Sequence, residues 1–371
     1  MKIGIITQYL CTNYGGILQN YALQQILKER GHNVETLQHD SILQLKFPRN
    51  ILVVIERCIL KQLGKYKGPV FYEKKYNKDF PVVTKNTLGF VASHIKTRVV
   101  NKSCSDVQPD EYDALVVGSD QVWRKNYNNL NVTFLLFAKN WGVKKVAYAA
   151  SFGVDKWEYN NEETTVISES LRGFNAISVR ELSAIDMCKE YIGVYPELVL
   201  DPTLLLTFKD YNRLLAGEAI KENYLFYHFL DPTQEKISFI EQISELKKWE
   251  LLSLNHKCDE HQLLTNIEDR IQPPVEDWLR GIRDSKIVIT DSFHAAVFSI
   301  IFSKPFYIVG NAKRGNSRFE SLLSAVGIQG RMIDIKSFDM ANIDTKINYD
   351  AVNIRLEELR KKSLSFLYKY F

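Results

Sequence analysis

KIGIITQYLCTNYGGILQNYALQQILKERGHNVETL, residues 2–37, holds the pattern that decides the fold. Its first run, KIGIITQ at 2–8, is apolar without alternation, as expected of a strand buried on both faces. Residues 15–30 carry a helical period, and Gly31 supplies the stop. Residues 34–37 read as a second short strand. Strand, helix and strand in so short a span imply two parallel strands, the opening of a doubly wound α/β sheet.

The same alternation extends outward. DALVVG (113–118), KVAYAAS (145–151), AISVR (176–180) and ELVL (197–200) read as further strands, and DPT at 201–203 closes this series. A second series runs through YLFYHF (224–229), LLSL (251–254), KIVIT (286–290) and PFYIV (305–309). Helices are expected at 234–247, 275–283, 292–302 and 317–325. The economical reading is an α/β protein of two Rossmann-like domains, 1–205 and 206–371, facing a central cleft. The charged amphipathic helix at about 353–370 is expected to pack back on the first domain. Between about 41 and 105 the pattern fails. Residues 52–63 suit a helix, and KYKGPVFYEKKYNK (65–78) reads as a basic, aromatic excursion within an irregular insertion.

Composition agrees with two globular domains. The chain has 371 residues, 45% hydrophobic and 25% charged, with a net charge of only +4. That charge is too small to imply nucleic acid, and no nucleic-acid motif is present. Cys11, Cys58, Cys104, Cys188 and Cys258 are scattered, with neither disulfide-framework nor zinc spacing. A reducing cytoplasm is therefore expected. No stretch approaches 18 apolar residues, and the first ten residues lack the charged start of a signal peptide.

Ligands of open parallel sheets bind beyond the carboxyl ends of the strands. Five stretches stand there. Cys11–Gly16 pairs Asn13 with Gly15 and Gly16 before a helix: either a phosphate or carboxylate site at the helix N-terminus or an Asn-capped tight turn. It is not a GxGxxG fingerprint. Gly118–Trp123 offers Asp120, to orient or deprotonate a sugar hydroxyl, and Trp123, to stack on a sugar face. The other reading has Asp120 cap a turn and Trp123 fill core. Arg180 ends a buried strand and needs an anion, either a ligand's carboxylate or phosphate or a neighbouring Glu181 or Asp. In Thr290–Ala296, Asp291 or Ser292 caps a helix and His294 stands in its first turn. There it is poised for acid–base work or simply bonded to backbone. Lys313, Arg314 and Arg318 surround a glycine turn and form either an anion clamp or a solvated loop. No metal-spaced cluster, P-loop or nucleophile elbow is found.

Residues 3–23, DALVVGSDQVW, ISVRELSA, VLDPT and TDSFHAAVFSIIFSKPF together resemble the polysaccharide pyruvyl transferase family, in the family's order. The resemblance covers most of the chain apart from about 41–105 and the last forty or so residues. It implies a GT-B-like fold and formation of a pyruvate ketal on a sugar of a surface polysaccharide, in capsule or exopolysaccharide synthesis. Phosphoenolpyruvate would be the donor and co-substrate, with no further cofactor and no metal. Arg180 matches the family's donor-site arginine, His294 its histidine, and Asn13 its early Asn. The arginine of the family's Ser-Arg-Leu-His segment falls on Ser292, so Lys313, Arg314 or Arg318 is expected to replace it. The expected roles give Arg180, Ser292, His294, Asn13, Gly15, Gly16 and the basic loop to the donor. Asp120 and Trp123 go to the acceptor, and His294 and Asp120 to catalysis. The acceptor would be a nucleotide sugar, a lipid-linked oligosaccharide or a glycan.

Two other functions fit the same residues. One is a GT-B glycosyltransferase, with the 224–228 region and the basic loop holding a sugar nucleotide. The other is a non-catalytic carbohydrate-binding relative. Residues 65–78 and the tail RKKSLSFLYKYF (360–371) either touch the inner face of the plasma membrane as weak peripheral contacts or are an ordinary surface excursion and a packed helix.

Overall fold

The computed structural model describes residues 1–39, 42–43, 49–215, 223–255, 263, 265–310 and 315–371. Its strands are β1 (Lys2–Ile6), β2 (Asn33–His39), β3 (Thr97–Val100), β4 (Ala114–Val117), β5 (Lys144–Ala150), β6 (Ala176–Val179), β7 (Glu197–Leu198), β8 (Tyr224–His228), β9 (Glu250–Leu252), β10 (Ile287–Thr290), β11 (Phe306–Val309) and β12 (Met332–Ile333). Ile3, Ile5, Leu115, Val116, Val146, Val288 and Ile289 are wholly buried, because helices cover both faces of each sheet.

The strands form two parallel sheets, ordered β3-β2-β1-β4-β5-β6-β7 and β12-β11-β10-β8-β9. The first contains the dinucleotide-fold order 3-2-1-4-5-6, and the second, counted from β8, the flavodoxin-like order 2-1-3-4-5. In each sheet the chain reverses direction once, between β1 and β4 and between β8 and β10. Those two switch points are where each sheet leaves room for a ligand.

Within the region from 41 to 105, the described residues from 49 on correct the expectation of irregularity. It holds helices Arg49–Gln62, Tyr72–Val83 and Lys85–His94, and ends in β3. Pro81 lies inside the middle helix and obscured its period. That helix is held by aromatic pairs four residues apart, Tyr72–Tyr76 and Tyr76–Phe80, with centroids at 6.2 and 5.6 Å. It also braces the two domains. Asp79 pairs with Arg270, the Gln272 amide donates to the Val83 carbonyl at 2.8 Å, and Asn86 Nδ2 donates to the Gln272 carbonyl at 2.9 Å.

The last helix, Tyr349–Tyr370, returns from the second sheet to the first. Ser363 Oγ accepts from the Leu200 amide at 2.9 Å, Arg360 Nε donates to the Leu204 carbonyl at 2.9 Å, and Lys144 Nζ to the Tyr370 carbonyl at 2.7 Å. Phe366 and Leu367 are buried, and Phe371 meets His32 edge-on. These contacts agree with the packed-helix reading of the tail, whose Phe366 and Leu367 are spent on the core. Among the described residues no helix is long and apolar enough to cross a membrane.

Candidate active site

A cleft of about 550 Å³ lies where the two switch points face each other. After β1 it receives Gln8 and Thr12–Gly15, and after β4 Asp120 and Gln121. After β8 it receives Phe229 and Leu230, and after β10 Ser292, Phe293 and His294. Arg318 is the one Lys or Arg among the described residues lining it.

The first wall is a helix N-terminus. Asn13 accepts a hydrogen bond from the Gly16 amide at 3.1 Å and so caps Tyr14–Glu29. Gly15 lines the cleft, and a Cβ there would overlap Nδ1 and Cγ of His294. Glycine is therefore required for the two domains to approach this closely at that point. Gly16 contacts Asn13 within the turn and does not line the cleft.

The second wall is the loop after β4. Gly118 has φ +123, and a Cβ there would collide with the Tyr148 carbonyl oxygen. Asp120 follows with φ +67, a backbone region that Asp tolerates better than most residues. Its carboxylate turns inward to Arg180. Trp123 is wholly buried, stacked on Phe134 at 5.4 Å, and donates its indole N–H to the Thr133 carbonyl at 3.1 Å. The expectation of Trp123 at the acceptor is thus corrected. Its ring and its single donor are both used in the core, as buried indoles require.

Arg180 is corrected as well. Its side chain is 1% exposed and lies beneath the cleft. One terminal nitrogen donates to Asp120 Oδ1 at 2.7 Å and the other to Asp201 Oδ2 at 2.7 Å, while Nε stands 3.8 Å from Glu181 Oε2. The buried guanidinium has taken protein carboxylates as its anions, and its Cζ rests 4.6 Å from the Phe293 ring centroid. The Arg318 Cζ is 5.9 Å from the same ring.

Asp201, from the DPT segment, was missing from the expected site and is its hub. Oδ1 accepts from the Thr203 amide at 3.0 Å and hydroxyl at 2.7 Å. Oδ2 accepts from Arg180 and from Ser119 Oγ at 3.2 Å, and faces His294 Nε2 at 3.6 Å. That last separation is an ion-pair distance, longer than a hydrogen bond, and Nε2 has no other partner. Arg180 and His294 therefore meet at one oxygen of Asp201.

The charges shift one another. Burial works against ionisation of Asp201, but His294, Arg180 and Thr203 outweigh it and hold its carboxyl well below the usual range. Asp120 is lowered likewise, burial being overcome by Arg180, His294 and Arg318. Glu181 is raised, because burial outweighs the help of Arg180 and Ser151. Burial and the nearby Arg180 lower Arg318 to about 10. A second histidine, His228, lines the cleft with its pKa lowered to about 4 by burial. Its Nδ1 accepts the Trp278 indole N–H at 3.3 Å, which places the imidazole proton on Nε2.

Ser292 stands at the N-cap of helix Phe293–Ile301 without a side-chain capping bond. Asp291 instead binds Lys236 at 2.6 Å and accepts from the Leu230 and Asp231 amides. Lys313 and Arg314 lie outside the described residues. Among those described, no group of three His, Cys, Asp or Glu is placed to hold a metal.

Two Rossmann-like domains with opposed switch points, and a cleft walled by two helix N-termini, a histidine and an arginine, define a GT-B-like fold. The family is more specific. The polysaccharide pyruvyl transferase profile matches residues 13–313, and the chain belongs to that family. General stress protein 30 of Bacillus subtilis (strain 168) is 29% identical over 142 residues, 37% of this chain and 38% of that protein. The chain thus matches well under two thirds of that relative's length. Among solved structures, UDP-GlcNAc 2-epimerase from Methanocaldococcus jannaschii is 13% identical, with TM-score 0.45, over 96% of this chain and 92% of that one. Arabidopsis thaliana UGT89C1 complexed with UDP-L-rhamnose is 10% identical, with TM-score 0.49, over 98% and 94%.

Proposed function

We propose that the chain transfers the three-carbon unit of phosphoenolpyruvate to a sugar diol, forming a cyclic pyruvate ketal and releasing phosphate. The observation that supports this reading best is the placement of His294 over Gly15. An acid from the second domain stands against a helix N-terminus of the first, at a cleft with room for a small dianion and a sugar.

The chemistry balances as follows. The donor's C3 gains a proton from His294 while positive charge develops at C2. One sugar hydroxyl adds to C2 and passes its proton to His294, which restores the acid. The C2–O bond to phosphate then breaks as the second hydroxyl closes the ring, and its proton leaves with the phosphate as HPO₄²⁻. Arg318 and the amide groups at the Gly15 and Phe293 helix starts meet the donor's anionic groups as preorganised dipoles and charge. An anion there relieves the cost of holding Arg318 charged in a buried setting. Ser292 supplies a small hydroxyl wall at the donor. Asp120, already ionised against Arg180, orients the acceptor hydroxyls. Arg180 is a positioning residue that fixes Asp120 and Asp201. No further cofactor enters the scheme, and the acceptor is a sugar of a surface polysaccharide or its nucleotide- or lipid-linked precursor.

The test is incubation with phosphoenolpyruvate and candidate acceptors, reading phosphate release and ketal formation, with UDP-sugars in parallel. Ketal and phosphate are expected. Free UDP with no phosphate release would replace this reading with glycosyl transfer. His294→Ala is expected to lower turnover by about 10²–10⁴-fold, and near-normal turnover would remove it as the acid.

A further inference from the structure

Helix Arg49–Gln62 presents its apolar side outward. Ile51, Leu52, Ile55, Ile59 and, just past its end, Leu63 are 50%, 64%, 50%, 52% and 61% exposed. At 3.6 residues per turn they share one arc of roughly 120°. Val53, Val54 and Leu60 on the other side are only partly exposed. An apolar helix stripe normally faces a partner. Phe71, 64% exposed, lies shortly beyond. A contiguous exposed patch of this kind marks an interaction surface.

The patch is rimmed by positive charge. Residues 49–78 carry eight Lys and Arg against two Glu, a larger excess than the +4 of the whole chain. Arg57 is taken by Glu73 in a paired contact with both bonds at 2.8 Å, and Lys75 by Asp79 at 2.9 Å. Arg49, Lys61, Lys65, Lys67, Lys74 and Lys78 remain exposed at the surface, and Glu56 is the exposed acid beside them.

We propose that this face docks on an anionic phospholipid surface, with the isoleucine and leucine side chains at the acyl boundary and the lysines among the headgroups. The cations are what select this occupant. A second copy packed on the same patch by a two-fold axis would bring the clustered Lys65 and Lys67 of the two copies together, whereas a bilayer carrying negative headgroups complements them. The docked helix is braced to the active site. Arg57 ties it to Glu73 on helix Tyr72–Val83, and Asp79 of that helix binds Arg270, two residues before Gln272 in the cleft wall. Docking therefore brings the cleft beside the bilayer and fits an acceptor presented there. The surface itself stands independently of the donor chemistry.

The experiment is co-sedimentation of the full chain with vesicles of phosphatidylcholine alone or mixed with phosphatidylglycerol, at low and high salt, with gel filtration alongside. Wild type is expected to sediment with the anionic vesicles, about tenfold less with neutral ones, and to be released by salt. The double variant Ile55→Glu, Ile59→Glu is expected to lose at least about tenfold of that binding with an unchanged melting temperature, since both side chains are half exposed. Lys65→Gln with Lys67→Gln should weaken binding to the anionic vesicles alone. The proposal is overturned if wild type fails to bind anionic vesicles at low salt. It is also overturned if the Glu variant binds as wild type does, or if the Glu variant only converts a dimer to a monomer.

Discussion

Asp201 gathers Thr203, Ser119 and Arg180 around one carboxylate and turns its remaining side to His294. Removing one partner of a buried pair costs about 3–5 kcal/mol. Asp201→Asn keeps the Thr203 bonds and leaves Arg180 short of an anion, so a loss of about 3 kcal/mol in denaturant melts is expected. Unchanged stability would mean the pair is not formed in solution. Asp201 and Asp120 are both lowered in the fold. Their contribution is full above the unfolded value of about 4 and fades as pH falls through the folded value. Acid unfolding below about pH 4 should therefore be blunted in Asp201→Asn. His228 acts in a different window. Its pKa falls from 6.5 to about 4 on burial. The unfolded chain then takes up a proton first, and about 3 kcal/mol is lost as pH drops through that interval. His228→Asn, which can still accept the Trp278 N–H, should flatten the slope between pH 6.5 and 4, and an unaltered slope would place the titration elsewhere.

The segment Asn13–Gly15 with helix Tyr14–Glu29 couples an N-cap to the opposing domain. Gly15→Ala must displace His294, at an overpacking cost of about 1–3 kcal/mol. Since a shift near 1 Å costs about 10² in rate, turnover should fall about 10²-fold while the protein stays folded. A fully active Gly15→Ala would show that His294 need not sit there. At this scale much was legible in advance. β4 and β11 are uninterrupted apolar runs, and β1, β5 and β10 are apolar but for their ends, because both their faces are covered, and helix Gln234–Lys247 was read to the residue. β3 escaped notice because TRVV is an edge strand with only Val100 buried. β12 is two residues long, too short for any period. Helices Tyr72–Val83 and Lys85–His94 were hidden by Pro81 and by a mixture of cations and aromatics whose order comes from contacts with Arg57 and Arg270. Within the site, Asn13, Gly15, Asp120 and His294 could be picked by position after a strand. Arg180 could not be assigned correctly, because its two carboxylates lie 21 and 60 residues away in the chain. Asp201 looked like the end of a strand series, and nothing local marks Trp123 as core rather than ligand contact.

Across the whole molecule, the last helix begins beside the second sheet and ends on the first, a reach of roughly 33 Å for its 22 residues. Ending the chain at residue 360 removes Ser363, Phe366, Leu367 and Tyr370 from the first domain. Calorimetry of the full chain should show one transition. The truncated chain should show two, the first-domain transition moving down, and a single unshifted transition would mean the helix contributes little. The cleft depends on the same union of halves. Asp201 and Gly15 belong to the domain of one sheet and His294 to that of the other, so the contacts of the imidazole with both exist only while the two halves stay joined. Under the proposed chemistry, a molecule whose halves came apart would lose its acid and its donor pocket together.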